Sequence, residues 1–551
     1  MDRNTLLAFF LISLVLVFTP KYMELVSPPP AATDNYVLPT DSLVVKSENT
    51  TKTKERTYIK QTQAISKSTE ETLTSVNTSL YSLQMSSFFG GTVKSHLLNE
   101  YLTSDSQLVS IINSGSHRNI FISGKDLDGK DLPLSKNWVL QSFSRDPASN
   151  NQTIVYKHEV FPDRFIYKSF TFYDNSYIID IALDLTSISQ DIYRDVFFGW
   201  AGGLPTTEAN TKDDLSYFNS YVYQGGELEN FKTGSKQREE YKYNGQSEWV
   251  AIRTKYFTTA IIPDSPQKIR SAILGGQIDQ LERYDVSVLI DPFDVQTFRL
   301  YIGPLEFERI KKINVGLESI MDFGWSFIRP ISKGVLFALK ELHKFVPNYG
   351  VVLIIFSVLV KLLVYPLTKK SYQSTAAMQA VAPEINALKE KYQSNPQKLN
   401  QATMELYKKK GVNPLGGCLP MLLQMPLLLA LFQVFRSTIE LRAEPFVWWI
   451  KDLSSPDTIF YLPFNVPIYG DQVAVLPVIM VFSMFIQQKM MTGANQQPQQ
   501  KMMQSFMMGF FFLLFNTFPS GLNLYYTLFN LLTIAQQKLI PKEDAATNNK
   551  Q

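Results

Sequence analysis

The residue with the most unusual chemistry in this chain is a lysine inside an apolar run. In VVLIIFSVLVKLLVYPLTKK, residues 351–370, Lys361 stands eight residues before the next charge, Lys369. That separation is about 12 Å of helix rise. A lysine stem reaches roughly 6 Å, so snorkelling leaves its ammonium short of the headgroups. Left in lipid the charge costs at least about 2.5–3.5 kcal/mol. Two readings remain: a water-filled groove, or a lysine that snorkels where the bilayer thins or pairs inside a helix bundle. Ser357 lies one turn earlier on the same face, and Gln424, Asn516, Asn523, Tyr525, Tyr526, Asn530 and Gln536 place further polar atoms in apolar runs. Singly, each reads as a helix-packing hydrogen bond. With the lysine, they read as the lining of a wet cavity.

Other chemistries have no residues to carry them. Cys418 is the only cysteine and there are four scattered histidines, so neither an internal disulfide nor a zinc-type ligand set can form. The sequence has no Gly-rich phosphate loop, nucleophile elbow or metalloprotease helix motif. The expectation is a non-enzyme without metal or cofactor. A net charge of +3 is too small to imply a nucleic-acid partner.

The elements that must hold Lys361 read as membrane helices. Apolar runs lie at 6–18, 349–367, 415–435 and 473–488, and a longer one, 502–539, is broken by Phe518-Pro519-Ser520-Gly521 into a helical pair. Lys369, Lys370, Lys489, Lys501, Lys538 and Lys542 place their ends in the cytoplasm, with both termini inside. The predicted organisation is an N-terminal anchor (1–22), a Pro- and Thr-rich tether (23–57), an outer domain (58–320), an interfacial amphipathic helix (321–346), a second span (347–368), a cytoplasmic helical hairpin (369–412), four further spans (413–540) and a short tail (541–551).

The outer domain alternates with period two, as in YIIDIALDLTS, which predicts a large antiparallel β-sandwich. No motif assigns it a task. It is expected to be a spacer or docking module, with a ligand-binding cleft as the alternative, and to be removable between residues 60 and 240. The hairpin is the most basic segment: between 369 and 410 eight lysines face three glutamates, and Asn395-Pro396 should start its second helix. Lys389, Lys391, Lys408, Lys409 and Lys410 either enforce topology at lipid phosphates or contact ribosomal RNA.

VKLLVYPLTKKSYQS, NPLGGCLPMLLQMPLLLALF, WIKDLSS and FPSGLNLYYTLFNLLTIAQQ together resemble the YidC family of membrane protein insertases. WVAIRTKYFTTAIIP, LYIGP and FGWSFIRPIS are similar to the outer domain and connecting helix of its Gram-negative members. The resemblance implies a six-helix inner-membrane protein, an anchor plus a five-helix core, acting as a monomer. Its groove would be open to cytoplasm and lipid, and its partners nascent membrane proteins, the bilayer, the Sec translocon and the ribosome. It places a basic groove residue, commonly arginine, where this chain has Lys361, which keeps the charge but not the planar fork. The short, nearly neutral tail departs from members with a basic one. An assembly chaperone without insertion activity fits the same pattern, and a transporter fits it less well for want of internal repeats.

Overall fold

Of the two units into which the chain divides, Met1–Ser66 and Lys67–Gln551, the computed structural model describes only parts of the second. These are residues 70–112, 119–278, 282–392, 395–412, 419–491 and 498–539. The expected anchor, the whole tether, the 413–418 part of the NPLGGC block, and the tail lie outside the described residues.

Period-two alternation becomes antiparallel sheet. Strand Ile178–Asp184 buries Ile179, Ile181 and Leu183 and leaves the residues between them half-buried. It sits inside a nine-stranded sheet running from edge strand Glu227–Phe231 to edge strand Val139–Arg145. A five-stranded sheet packs on it, with the rings of Phe198 and Phe298 stacked 4.4 Å apart. A four-stranded sheet, 73–110, completes the β-rich domain.

Two details differ from the sequence reading. Strands Trp249–Arg253 and Phe257–Pro263 are buried at every position, not half-buried. Segment 305–323 covers their second face: the Trp249 indole donates to the Val315 carbonyl, and the Arg253 guanidinium donates to that of Ile320. The expected cut at residue 240 also passes through a sheet, because strand Gln296–Pro304 pairs with Ile178–Asp184. Lys168 takes an inward position in strand Arg164–Phe172, a placement its charge did not announce. Its ammonium donates to the carbonyls of Phe89, Gly91 and Ile120, and burial pulls its pKa down to about 7.

Among the described residues eight α-helices follow: α1 (Arg329–His343), α2 (Tyr349–Leu363), α3 (Tyr365–Lys391), α4 (Pro396–Lys409), α5 (Leu419–Ser437), α6 (Leu476–Met491), α7 (Pro498–Phe515) and α8 (Ser520–Leu539). Asn348 caps α2 by accepting from the Val351 amide, and Asn395 caps α4 by accepting from that of Lys398. Asp457 serves α6 from a distance, one carboxylate oxygen accepting from the Val475 and Leu476 amides and the Trp449 indole. The expected second span stops at Leu363, before Pro366, and α3 continues directly into the hairpin. Among the described residues no helix is long and apolar enough to cross a membrane. The 15 residues of α2 and 16 of α6 reach only about 23 Å.

The single apolar face expected of α1 is divided. Ile328, Val335, Leu336 and Leu339 are buried, whereas Trp325, Phe327, Ile331 and Phe337 are exposed.

The end of α5 at Ser437 and the segment after it are fastened to the β-rich domain by ion pairs, in which Arg442, Lys255 and Glu440 are the buried members. Arg442 Nε lies 2.8 Å from Glu208, and its Nη1 donates to the Leu102 carbonyl at 2.8 Å. Arg436 and Lys255 both reach Asp213, at 3.5 and 2.8 Å. Lys340 of α1 bridges Glu306 and Glu440. The domain is therefore more than a spacer.

Removing one partner of a buried ion pair costs about 3–5 kcal/mol, because the other charge is stranded. Arg442→Ala and Glu208→Ala are each expected to lower the melting midpoint of the purified protein, and the double variant to lose less than their sum. Additive losses would show that the residues act separately. Burial pushes the Asp213 carboxyl up, but Lys255 and Arg436 overcome this and hold it below its usual range. Its stabilisation is thus full above the ordinary carboxylate value of about 3.9 and lost as pH falls through the depressed value. Asp213→Asn is expected to shrink the drop in melting midpoint between about pH 6 and about pH 3.

Candidate functional site

Helix α8 is central to the helical half, because its apolar sequence carries polar residues at helical spacing. Thr527, Asn530, Thr533 and Gln536 recur every three residues and are all buried. At about 1.5 Å per residue they climb roughly 14 Å of the helix, stepping round it by about 60° each time, so successive rungs face different sides. Each rung but the first meets a different helix. The amide nitrogen of Asn530 donates to the Ser483 hydroxyl of α6 at 3.1 Å, and that of Gln536 to the Thr368 hydroxyl of α3 at 3.0 Å. Between them Lys361 of α2 donates to the Thr533 hydroxyl at 2.7 Å, its ammonium 4.3 Å from the centre of the Phe529 ring.

Lys361 is 6% exposed, and no ion pair among the described residues includes it. An ammonium has three donors, and Thr533 takes one. The ring face adds an attraction of about 1–2 kcal/mol when desolvated. This site combines features of both arrangements read from the sequence: the lysine has an internal partner, but a neutral one that leaves its charge uncompensated. Ser357 is fully buried one turn away, its hydroxyl donating to the Leu353 carbonyl of its own helix.

The other expected site residues fall elsewhere. Asn523 donates to the carbonyls of Phe515 and, at the 3.5 Å limit, Phe518, and so closes the turn between α7 and α8. Tyr525 and Tyr526 are buried in aromatic packing, their rings 5.5 Å apart, with Phe356 beside Tyr525 and Phe515 against Tyr526. Gln424 is half-buried on α5, outside the hydrogen-bonded series. Thr533, Thr368 and Ser483 were missed in the sequence reading. Their signal was the three-residue spacing of Asn530, Thr533 and Gln536 opposite Lys361. In the hairpin, Lys410 pairs with Glu384 at 2.6 Å, Lys391, Lys408 and Lys409 are exposed, and Lys389 is half-buried beside Asn386.

At the outer end two sequence blocks clasp each other. The Ser520 amide donates to the Ser455 carbonyl at 2.8 Å, the Ser520 hydroxyl to the Asp452 carbonyl at 2.7 Å, and the Gly521 amide to the Leu453 carbonyl at 3.0 Å. Gly521 is required by close approach, since a Cβ there would fall inside the Phe435 ring. The FPSG stretch is thus only half a turn: Ser520 and Gly521 already belong to α8.

Comparison with known proteins fits this division into two halves. A family model described as the YidC periplasmic domain matches residues 73–334, and one described as 60Kd inner membrane protein matches 341–547. A membrane protein insertase YidC of Prosthecochloris aestuarii is 35% identical over 567 residues, covering 98% of this chain and 95% of the relative. The chain belongs to the YidC family. A YidC insertase of Pelodictyon phaeoclathratiforme is 36% identical over 87% of this chain and 84% of its own. A crystal structure of an active YidC insertase aligns with 85% of this chain and 92% of that one at 18% identity and a TM-score of 0.36, too loose a superposition to carry an argument.

In this YidC chain the clasp generates a stability prediction. Gly521→Ala overpacks against Phe435 and is expected to cost about 1–3 kcal/mol, whereas Ser520→Ala removes one side-chain hydrogen bond and costs about 1 kcal/mol. Adding Phe435→Leu should recover part of the Gly521→Ala loss and none of the Ser520→Ala loss. Melting midpoints of the four variants check this.

Proposed function

We propose that this chain is a membrane protein insertase that takes the polar or acidic part of a client across part of the bilayer at Lys361 and releases its apolar helix sideways into lipid. The observation that carries the reading is the buried ammonium with a single neutral partner, in a chain that shares its length with YidC insertases. Thr533 holds the lysine in place without neutralising it. A client carboxylate arriving there meets two unused donors and an undiminished charge, so its desolvation is offset at an intermediate depth. The client's apolar segment then partitions into lipid by its own transfer free energy.

Membrane placement is supported by the inversion of surface and interior. Leu359, Leu362 and Leu363 of α2 and Val478, Phe482 and Phe485 of α6 point outward, while Ser357, Lys361, Ser483, Asn530 and Thr533 are buried. Such a surface suits lipid. Helices α5, α7 and α8, of 19, 18 and 20 residues, reach about 27–30 Å and match a hydrocarbon core of about 30 Å, whereas α2 and α6 at about 23 Å fall short of it, so a bilayer would be thinned beside those two. On this reading the protein is a multi-pass inner-membrane protein with the β-rich domain in the periplasm, and with both termini, α4 and most of α3 in the cytoplasm. Lys391, Lys408 and Lys409 would face lipid phosphates or a ribosome. The family resemblance allows work alone or beside the Sec translocon.

Purified protein in liposomes, given one client with acidic outer residues and one without, tests the proposal. Lys361→Arg is expected to keep insertion, Lys361→Ala to lower it at least several-fold for the acidic client only, and Lys361→Glu to be worst. Equal loss for both clients together with a lower melting midpoint would make the lysine a structural residue. Replacing residues 371–410 with a short linker should leave a membrane-stable protein with poor insertion, because the hairpin's stripes are narrow and bury little. Disappearance of that variant from the membrane fraction would contradict the assignment.

A further inference from the structure

The loop between α5 and α6 carries a surface that insertion at Lys361 does not use. Strands Thr458–Val466 and Gly470–Ala474 pair into a two-stranded ribbon. A strand normally sends alternate side chains to opposite faces, one of them covered. Here Ile459, Phe460, Tyr461 and Phe464 are each more than half exposed, with Ile468 open near the tip, so apolar side chains leave both faces. Asp471 is the only charged residue between 458 and 474.

A ribbon of this kind is marginal in water on its own, yet its base is fixed. Asn516, just past the end of α7, donates to the carbonyls of Tyr469 and Gln472 at 2.8 and 2.6 Å and accepts from the Ala474 amide at 3.1 Å. Gln472 donates back to the Asn516 carbonyl at 3.2 Å, and the Tyr469 ring lies 5.6 Å from that of Phe512. The fold therefore sets where the ribbon stands while leaving its apolar side chains uncovered.

Three features say what covers them. The second strand runs directly into α6, so the ribbon's apolar surface continues into the outward face formed by Val478, Phe482 and Phe485. The near absence of charge leaves nothing for a charged protein surface to pair with. The ribbon's two open edges keep unpaired backbone groups that the hydrocarbon core cannot satisfy but the hydrated headgroup layer can, and aromatic side chains favour that layer.

We propose that residues 458–474 form an aromatic anchor in the interfacial layer of the outer leaflet, which fixes the depth of the outer ends of α6 and α7. The proposal rests on the reading that α6 spans the membrane, and the test separates the two. In the full chain with Cys418→Ser, single cysteines are introduced by Phe460→Cys, Phe464→Cys, Phe482→Cys or Tyr193→Cys. Each is nitroxide-labelled and reconstituted into phosphatidylethanolamine–phosphatidylglycerol vesicles. Collision with oxygen is then compared with collision with a water-soluble nickel chelate. Tyr193, exposed on the β-rich domain, is the aqueous reference, and Phe482 reports the helix face.

The expected result is a deep Phe482 label, with the Phe460 and Phe464 labels at intermediate depth: nickel collision several-fold below the reference and oxygen collision retained. If the ribbon labels match Tyr193 while Phe482 is deep, the anchor is overturned and the spanning reading stands. If Phe482 also matches Tyr193, both fall. If the ribbon labels are shielded from both reagents, a protein surface covers them and the lipid assignment is overturned.

Discussion

The hydrogen bond from Lys361 to Thr533 is the interaction around which the helical half is arranged. A buried cation with one neutral partner is tolerable only where the surroundings hold it rigidly and nothing better is available. Helix α8 meets that condition by turning polar residues to three neighbours, with Phe529 beside the ammonium. The contrast with Arg442 is instructive. That guanidinium is equally buried, but it has a carboxylate, a backbone carbonyl and two aromatic rings around it. The arginine is satisfied and holds two parts of the protein together. The lysine keeps an unmet demand, and an unmet demand is what a transient ligand can answer.

What the sequence revealed follows from how local each signal is. Lys361 and Ser357 were legible because a charge in an apolar run is conspicuous without any knowledge of contacts. The start of α4 at Asn395-Pro396 and the alternation of strand Ile178–Asp184 were legible because caps and period-two patterns involve neighbours in the chain. Contacts between distant residues were not. Nothing in WVAIR announces that segment 305–323 will cover its second face, and nothing in FIYKSF announces that the lysine falls in the inward phase. Asn523 looked like cavity lining because its residue type was known and its turn was not. Thr533 and Thr368 passed unnoticed because threonine is ordinary in a helix until a lysine or glutamine stands opposite.

Several charged residues of the loop between α5 and α6 are structural. Asp457 holds the start of α6, and Glu440 receives Lys340. Asp452 accepts from the Ala443 amide and from Ser454 and Ser455, ordering the segment that clasps α8.

The placement of the ion pairs has a mechanical consequence. Those joining separate parts of the chain, Arg442 with Glu208, Arg436 with Asp213 and Lys340 with Glu306 and Glu440, lie around the outer end of α5. Towards the inner end the one pair among the described residues, Lys410 with Glu384, is internal to the hairpin. The bundle is therefore built like a pair of tongs riveted at the far side. Parting at the near end would break the neutral hydrogen bond between Gln536 and Thr368, whereas parting at the rivet would strand the buried Arg442 guanidinium and the Glu440 carboxylate.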